Sequence, residues 1–290
     1  MKQALIKLHI SVFLAGFTGV LGILITLNEA LLVWYRIFLT VVALIILLAW
    51  KKTLKKIPLR SSFRLFGIGT LIALHWVCFY GSIKYANVSI GLVCFASTGL
   101  FTALLEPLFN KKKISIPEVL LGMISLLGIC LIFHFDSRYR TGIMLGVGSA
   151  LLAALFTVFN KRSVDIAPPQ TMMLYELSGG LLVLTLILPF YLHYFPATHI
   201  MPSLKDWSWL ILLSLFCTVL AMDLMLQALK KVSAFTQNLS LNLEPVYGII
   251  LAFILFNENE KLNDSFYVGF GLILLSVILQ TTRIIKYRKL

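Results

Sequence analysis

Polar side chains that could bind or move a solute lie inside long apolar stretches of the C-terminal half. Asp223 and Gln227 occupy one such stretch, and Asn238, Asn242 and Glu244 occupy the next. A carboxyl group inside a membrane helix is costly unless it is paired, protonated or beside a water-filled cavity. These five residues therefore mark a candidate path for a small solute.

The two carboxyl groups are each open to two interpretations. Glu244 lies near the middle of its apolar stretch, and Pro245 follows it directly. It either couples transport to protons or binds a substrate amine, or it is a packing acid beside a proline kink, where a freed backbone carbonyl needs a partner. Asp223 and Gln227 are four residues apart and share a helical face, so they either line a cavity or form a structural polar pair.

Two further charges and two amides fall inside apolar stretches. Arg36 either binds a substrate carboxylate through two parallel hydrogen bonds or extends its side chain to the outer headgroups. Glu176 either lines the same path or has a structural role near the inner surface. Asn238 and Asn242 are one helical turn apart, and they either orient a ligand or hold neighbouring helices together.

Aromatic residues accompany a histidine inside another apolar stretch. His75 and Phe79 fall on one face of the predicted helix, and Trp76 and Tyr80 fall on the adjoining face. An aromatic wall with one titratable group suits an organic cation or a ring. The alternative is aromatic packing together with an interfacial belt.

The composition indicates what kind of protein positions these residues. Of the 290 residues 59% are hydrophobic and 13% charged, with a mean hydropathy of +0.94. So few charges could not cover the surface of a soluble domain of this size, which predicts an integral membrane protein. The net charge of +13 does not indicate nucleic-acid binding, because the basic residues form short clusters between apolar runs. The lipid bilayer is the expected partner.

Ten apolar runs have roughly the twenty residues that span the hydrocarbon core. The fold class we expect is an all-α membrane protein of ten transmembrane helices. The predicted spans are 7–27, 30–50, 63–83, 89–109, 117–135, 141–160, 170–192, 207–229, 234–256 and 265–285.

Basic residues are distributed unequally between alternate links. Nineteen of the 25 Lys and Arg residues fall on the side that carries both chain ends, five fall on the other side, and Arg36 lies within a span. Because the side rich in Lys and Arg faces the cytoplasm, both termini are expected there. An even number of spans follows, in agreement with ten.

The two halves of the chain resemble each other. Val88-Ser89 aligns with Val232-Ser233 at an offset of 144, and Gly122 aligns with Gly269 at 147. The pair Glu106-Pro107 lies 138 residues before Glu244-Pro245, outside this register, so it is not counted as a repeat. We expect two repeats, residues 1–140 and 141–290. Since five spans reverse the direction of the chain, the repeats are inverted, with a substrate site between them near the midplane.

These residues resemble the EamA family of the drug/metabolite transporter superfamily. The resemblance covers essentially the whole chain and is carried by ALKKVSAFTQNLSLNLEPVYGIILAFILFNE (228–258) and its partner SIKYANVSIGLVCFASTGLFTALLEPL (82–108). The family's Ser-Ala link, Glu-Pro pair and final Glu are matched here by Ser233-Ala234, Glu244-Pro245 and Glu258. The first half departs from the pattern, with Phe101 opposite Pro245. The resemblance implies ten helices and transport of small metabolites, often outward.

The functional prediction is a secondary transporter, an exporter of small metabolites such as amino acids, in the inner membrane. We expect alternating access, driven by a proton gradient or by the substrate's own gradient. The alternative is a polytopic membrane enzyme that uses the same acids on a lipid-linked substrate; it needs a nucleophile, a base and a sizeable catalytic loop, which the short links do not offer. No nucleotide, hydrolase or metal motif occurs, so neither cofactor nor metal is expected.

Overall fold

The computed structural model describes residues 2–111, 113–133, 139–241, 243–257 and 264–287. Within these ranges the chain forms thirteen α-helices and one π-helical segment, and it forms no β-strand. The bounds are α1 Lys2–Leu24, α2 Glu29–Trp50, α3 Leu59–Tyr85, α4 Val88–Phe95, α5 Thr98–Asn110, α6 Ile116–Phe133, α7 Arg140–Lys161, α8 Pro169–Tyr194, α9 Leu204–Ser214, the π segment Leu215–Leu220, α10 Ala221–Leu229, α11 Ala234–Leu241, α12 Glu244–Phe256 and α13 Asp264–Tyr287.

Eight helical units are long and apolar enough to cross a membrane in the described part of the chain. They are α1, α2, α3, α4 with α5, α7, α8, α9 through α10, and α11 with α12. Shorter apolar stretches occur at Ile116–Gly128 in α6 and Tyr267–Ser276 in α13. The prediction of a multi-pass helical membrane protein is therefore confirmed.

Three of the predicted spans contain an interruption. Between α4 and α5 the hydroxyls of Ser97 and Thr98 donate to the carbonyls of Cys94 and Phe95, at 2.7 and 2.5 Å, in competition with the helical hydrogen bonds. Pro245 lies in the first turn of α12, where its missing N–H is tolerated. The third interruption is the π segment between α9 and α10.

The breaks recur at a constant spacing. The starts of α4 and α11, at Val88 and Ala234, are 146 residues apart, as are those of α5 and α12, at Thr98 and Glu244. The C-cap residues of α5 and α12, Lys111 and Asn257, are also 146 residues apart, and both adopt the left-handed conformation. In this register Glu244 corresponds to Thr98, so Glu106-Pro107 is not its counterpart. Counted from these helix starts, Gly99 lies opposite Pro245, two residues from Phe101.

Corresponding helices make reciprocal contacts. α1 packs against α10 and α12, whereas α7, its counterpart, packs against α3 and α5. α2 contacts α8, and α6 contacts α13. The core therefore lies between the two halves.

α3 and α8 approach each other closely where they cross. A Cβ atom added to Gly69 of α3 would lie 1.6 Å from the backbone oxygen of Glu176, and one added to Gly180 of α8 would lie 2.7 Å from the backbone oxygen of Gly69. Glycine at both positions allows the two backbones to touch, as in many membrane helix pairs.

Candidate functional site

A cavity of about 80 Å³ lies among helices of both halves. Four of the residues singled out from the sequence line it, namely Arg36, His75, Trp76 and Glu244. The remaining lining residues are mostly apolar: Ala15, Thr18, Ile72, Phe79, Phe95, Ala153, Phe156, Thr157, Cys217, Ala221, Met222, Met225 and Leu241. The structure thus brings one cation, one carboxyl group and an aromatic wall to a single enclosed space.

Arg36 is a buried cation on the wall of this cavity, and its side chain is only 2% exposed. Its Nε donates to the Thr218 hydroxyl at 2.8 Å, its Nη1 to the Tyr80 hydroxyl at 2.9 Å and its Nη2 to the Cys217 carbonyl at 3.3 Å. No carboxylate forms an ion pair with it among the described residues. The alternative in which Arg36 extends to the headgroups does not fit this geometry. Three of its five N–H groups are used, which leaves two for a ligand.

The π segment supplies two of these acceptors. In a π-helical turn the hydrogen bonds skip one residue more than in an α-helix, and such turns often occur at functional sites. The Thr218 hydroxyl donates to the Leu213 carbonyl at 2.9 Å, five residues back, while its oxygen accepts from Arg36. The widened turn thus holds the Thr218 and Cys217 oxygens against the guanidinium.

The Trp76 ring packs against the guanidinium of Arg36. The Arg36 Cζ atom lies 3.9 Å from the centre of the Trp76 ring and 5.9 Å from that of Tyr80. A desolvated cation over a tryptophan face gains up to about 2 kcal/mol. The aromatic wall continues through Phe79 and Phe95, whose ring centres are 5.8 Å apart.

His75 is held by the neighbouring helix α7. Its Nδ1 lies 2.9 Å from the Ser149 backbone oxygen and 2.8 Å from the Ser149 hydroxyl. Because a carbonyl oxygen only accepts, Nδ1 is the donor of the hydrogen bond to the Ser149 carbonyl. Its ring centre lies 5.4 Å from that of Phe95.

Glu244 is the acidic residue of the cavity. It is the first residue of α12 and 5% exposed, and its Oε1 accepts from the Thr18 hydroxyl at 3.3 Å. A carboxylate at a helix N-terminus is favoured by the helix dipole. Arg36 lies beyond ion-pair distance, so the two opposite charges line one cavity without neutralising each other directly.

Asp223 and Gln227 are not brought to this cavity. Gln227 Nε2 donates to Asp223 Oδ2 at 2.9 Å, as their spacing of four residues predicts, and Lys7 Nζ donates to Gln227 Oε1. Ala221, Met222 and Met225 of α10 line the cavity instead. The cluster of Lys7, Asp223 and Gln227 lies between α1 and α10.

Glu176 is fully buried away from the cavity lining. Its Oε2 accepts from Asn160 Nδ2 at 3.4 Å, and within the described ranges Glu176 Oε1 and Asn160 Oδ1 have no hydrogen-bond partner. Arg36 makes no ion pair with Glu176 in the ranges the structure describes.

Asn238 joins three helices. Its Oδ1 lies 2.9 Å from the Thr157 hydroxyl of α7, and its Nδ2 donates to the Thr102 hydroxyl of α5 at 2.7 Å. Both ends of the amide are engaged, which favours the helix-holding interpretation over ligand binding. Asn242, the other amide of this pair, lies outside the described residues.

Several residues that make contacts around the cavity were not predicted from the sequence. Thr18, Cys217 and Thr218 are small residues in apolar runs, and their importance comes from their contacts with Glu244 and Arg36. Glu106, excluded from the repeat, caps α11 instead: its Oε2 accepts from the Phe235 backbone N–H at 2.8 Å. An arginine inside a membrane span does, however, indicate that neighbouring residues must supply oxygen atoms to accept its hydrogen bonds.

The sequence profile of the EamA-like transporter family matches this chain twice, over residues 3–134 and 140–282. The chain belongs to the EamA-like transporter family. Membership explains the two reciprocally packed halves, and the resemblance found in the sequence is confirmed.

The chain is also similar to a relative and to a solved structure. An uncharacterized transporter of Haemophilus influenzae (strain ATCC 51907 / DSM 11121 / KW20 / Rd) is 27% identical over 148 residues, which is 48% of each chain. The match thus spans about half the length of that relative. A crystal structure of another protein shares the fold over 97% of both chains, with a TM-score of 0.71 and 14% identity. At that identity the likeness concerns the fold alone. Family and relative together point to a membrane transporter.

Proposed function

We propose that this EamA-family protein is a secondary transporter of small metabolites that carry a carboxylate, such as amino acids. Arg36 carries the proposal: it is a buried cation on a cavity wall with no ion-pair partner in the described chain. Burying an unpaired charge costs several kcal/mol, even after its hydrogen bonds and the tryptophan face offset part of that cost. An anionic ligand would supply the missing partner.

The cavity suits both ends of an amino acid. The substrate carboxylate would bind the two remaining Arg36 N–H groups, and its ammonium would bind Glu244 on the other wall. Trp76 and Phe79 would contact its side chain. Asp223 and Gln227 would serve the pathway at a different depth, and Glu176 and Asn238 would support the surrounding helices.

Transport by alternating access would follow from the position of this cavity. Ligand cavities usually measure about 300–1,000 Å³, so a site of about 80 Å³ has to expand to admit a metabolite. Its walls come from helices of both halves, and relative rocking of the halves would open it to one side at a time.

The topology proposed for the transporter has ten spans. α6 and α13 would add two crossings to the eight long apolar units, and the two halves would then be inverted repeats. The excess of Lys and Arg on one side supports cytoplasmic termini in a bacterial inner membrane.

Proton coupling would use Glu244, which binds either a proton or the substrate ammonium, but not both. Export of substrate is the direction that the family resemblance supports. No observation on the described residues favours the membrane-enzyme alternative.

The proposal is tested by movement of a pooled labelled metabolite set in proteoliposomes, with and without an imposed pH gradient. We expect carboxylate-bearing compounds to cross the membrane whether they are loaded inside or outside the proteoliposomes, and to move faster when the pH gradient is imposed. Movement of carboxylate-free compounds alone would contradict the substrate class, and no movement through folded protein would contradict the transport function.

A further inference from the structure

A second cavity, of about 420 Å³, lies where α2 begins and α3 ends. It is bounded by α2, α3, α7 and α8, and it shares no lining residue with the cavity at Arg36. Its walls are largely apolar, with Leu74, Val77, Leu145, Leu184 and Leu188 among them. Its volume falls in the range of about 300–1,000 Å³ that is typical of small-molecule sites.

Glu29 is the acidic residue of this second cavity. It is 7% exposed, and its Oε1 accepts a hydrogen bond from the Tyr191 hydroxyl. No described residue donates to its other carboxylate oxygen. As the first residue of α2 it interacts well with the helix dipole, but an exposed carboxylate would serve the dipole equally. The dipole does not explain why the charge is enclosed in an apolar cavity.

Lys84 is near enough to Glu29 for an electrostatic interaction, but it makes no ion pair with the carboxylate among the described residues. Lys84 Nζ donates to the backbone carbonyls of Ile25, at 3.2 Å, and Leu27 instead. Arg140, at the start of α7, is exposed, and neither cation forms an ion pair with Glu29 in the described part of the chain. Within the described part of the chain, the second carboxylate oxygen of Glu29 is therefore available to a cationic partner, which would favour the charge in these apolar surroundings.

Aromatic rings complete the cavity beside the carboxylate. Tyr85, Tyr191 and Phe195 line it, and the rings of Tyr191 and Phe195 are stacked with centres 5.0 Å apart. Ring faces attract cations, and the leucine and valine side chains favour an apolar body. We propose that this cavity binds an amphiphilic organic cation, with its ammonium group at Glu29 and its apolar part between α3 and α8.

This site is chemically opposite to the cavity at Arg36, which offers a buried cation to an anionic group. Because the two cavities are lined by different residues, the cation site does not depend on the substrate proposed for transport. A ligand here would lie between α3 and α8, whose backbones touch at Gly69 and Gly180, and α3 also carries Trp76 of the cavity at Arg36.

The test uses the full-length protein in nanodiscs and two probes of the same shape. Phenyltrimethylammonium carries a positive charge, and tert-butylbenzene is its uncharged isostere. Binding is measured by titration calorimetry, with protein-free nanodiscs as the blank. We expect the cation to bind at least tenfold more tightly than its isostere, and Glu29→Gln to remove that preference while leaving binding of the isostere unchanged.

Two further variants keep the test decisive. A side chain at position 81 would point at the cavity, because a Cβ there lies 3.1 Å from Leu145 Cδ1 and 3.8 Å from Glu29 Cγ. Gly81→Leu should therefore weaken both probes at least tenfold even if Glu29→Gln fails to fold. Asp165→Asn, which removes an exposed acid elsewhere, should change neither. Equal binding of the two probes, retention of the cation in Gly81→Leu, or heats equal to the protein-free blank would overturn the proposal.

Discussion

The guanidinium of Arg36 lies 3.9 Å from the centre of the Trp76 ring, and both side chains line one cavity between the two halves. Arg36 comes from α2 and Trp76 from α3, while the oxygens that hold Arg36 from the other side come from the π segment. The cation is therefore fixed by elements of both repeats. A movement of one half relative to the other would change its surroundings directly.

Removing the Tyr80 hydroxyl should destabilise the protein. In Tyr80→Phe, Arg36 loses a hydrogen bond of 2.9 Å in a fully buried place, and bonds to charged groups contribute about 1.5–3 kcal/mol. Thermal unfolding in detergent should show a midpoint lowered by several degrees. The matched control is Tyr35→Phe: among the described residues the Tyr35 hydroxyl donates to the Met201 sulfur alone, at 3.4 Å, so its removal should matter much less. Equal midpoints for the two variants would show that Tyr80 does not stabilise the buried cation.

Acid should weaken substrate binding through Glu244. A protonated carboxyl group cannot pair with a substrate ammonium, so the KM for an amino acid should rise as the pH falls, and kcat should change less. Glu244→Gln cannot gain or lose a proton, and its KM should be high and independent of pH. The measurement is initial uptake rate in proteoliposomes between pH 5 and 8. If Glu244→Gln keeps the pH dependence of the parent protein, another group is responsible.

A single methyl group added at Gly69 should force α3 and α8 apart. Gly69→Ala would place Cβ 1.6 Å from the Glu176 backbone oxygen, and a backbone atom cannot move aside as a flexible side chain can. We expect a loss of stability of about 3 kcal/mol or more. Gly67→Ala, two residues earlier on the same helix, meets no atom within 4 Å and should be neutral or slightly stabilising. Yield and unfolding midpoint distinguish the pair, and similar values for both would contradict this helix crossing.

Asn238 should matter for stability more than for transport. Asn238→Leu removes the bonds to Thr102 and Thr157, and interhelical hydrogen bonds in membranes contribute about 0.6–1.7 kcal/mol each. A double-mutant cycle with Thr102→Val should give a coupling energy in that range. Unchanged stability together with a collapse of transport would favour the ligand-binding interpretation instead.

The sequence predicted the multi-pass helical architecture and the local pairs, because apolar length determines the first and residue spacing the second. Gln227 bonds to Asp223 at the predicted spacing of four residues, and His75 stacks near Phe79 with ring centres 6.1 Å apart. Both are contacts within one helix.

Contacts between helices could not be derived in the same way. Whether Arg36 reaches the headgroups or faces a cavity depends on Thr218 and Tyr80, which are 182 and 44 residues away in the chain. The same limit applies to Asp223, which the sequence grouped with Glu244, although the two face different parts of the bundle. Nor did the apolar run 207–229 reveal its π segment, since Leu215–Leu220 has no glycine or proline to mark it.

The most direct measurement compares transport of amino acids and of the corresponding decarboxylated amines by the parent protein and by Arg36→Gln. Both proteins are reconstituted at equal density and shown to be folded. The account predicts that the parent protein moves the amino acids and discriminates against the amines, and that Arg36→Gln loses amino-acid transport by about 10–100-fold, as expected for a charge-assisted bond of 1.5–3 kcal/mol. Amino-acid transport that is unchanged in Arg36→Gln would contradict the central role of the buried arginine.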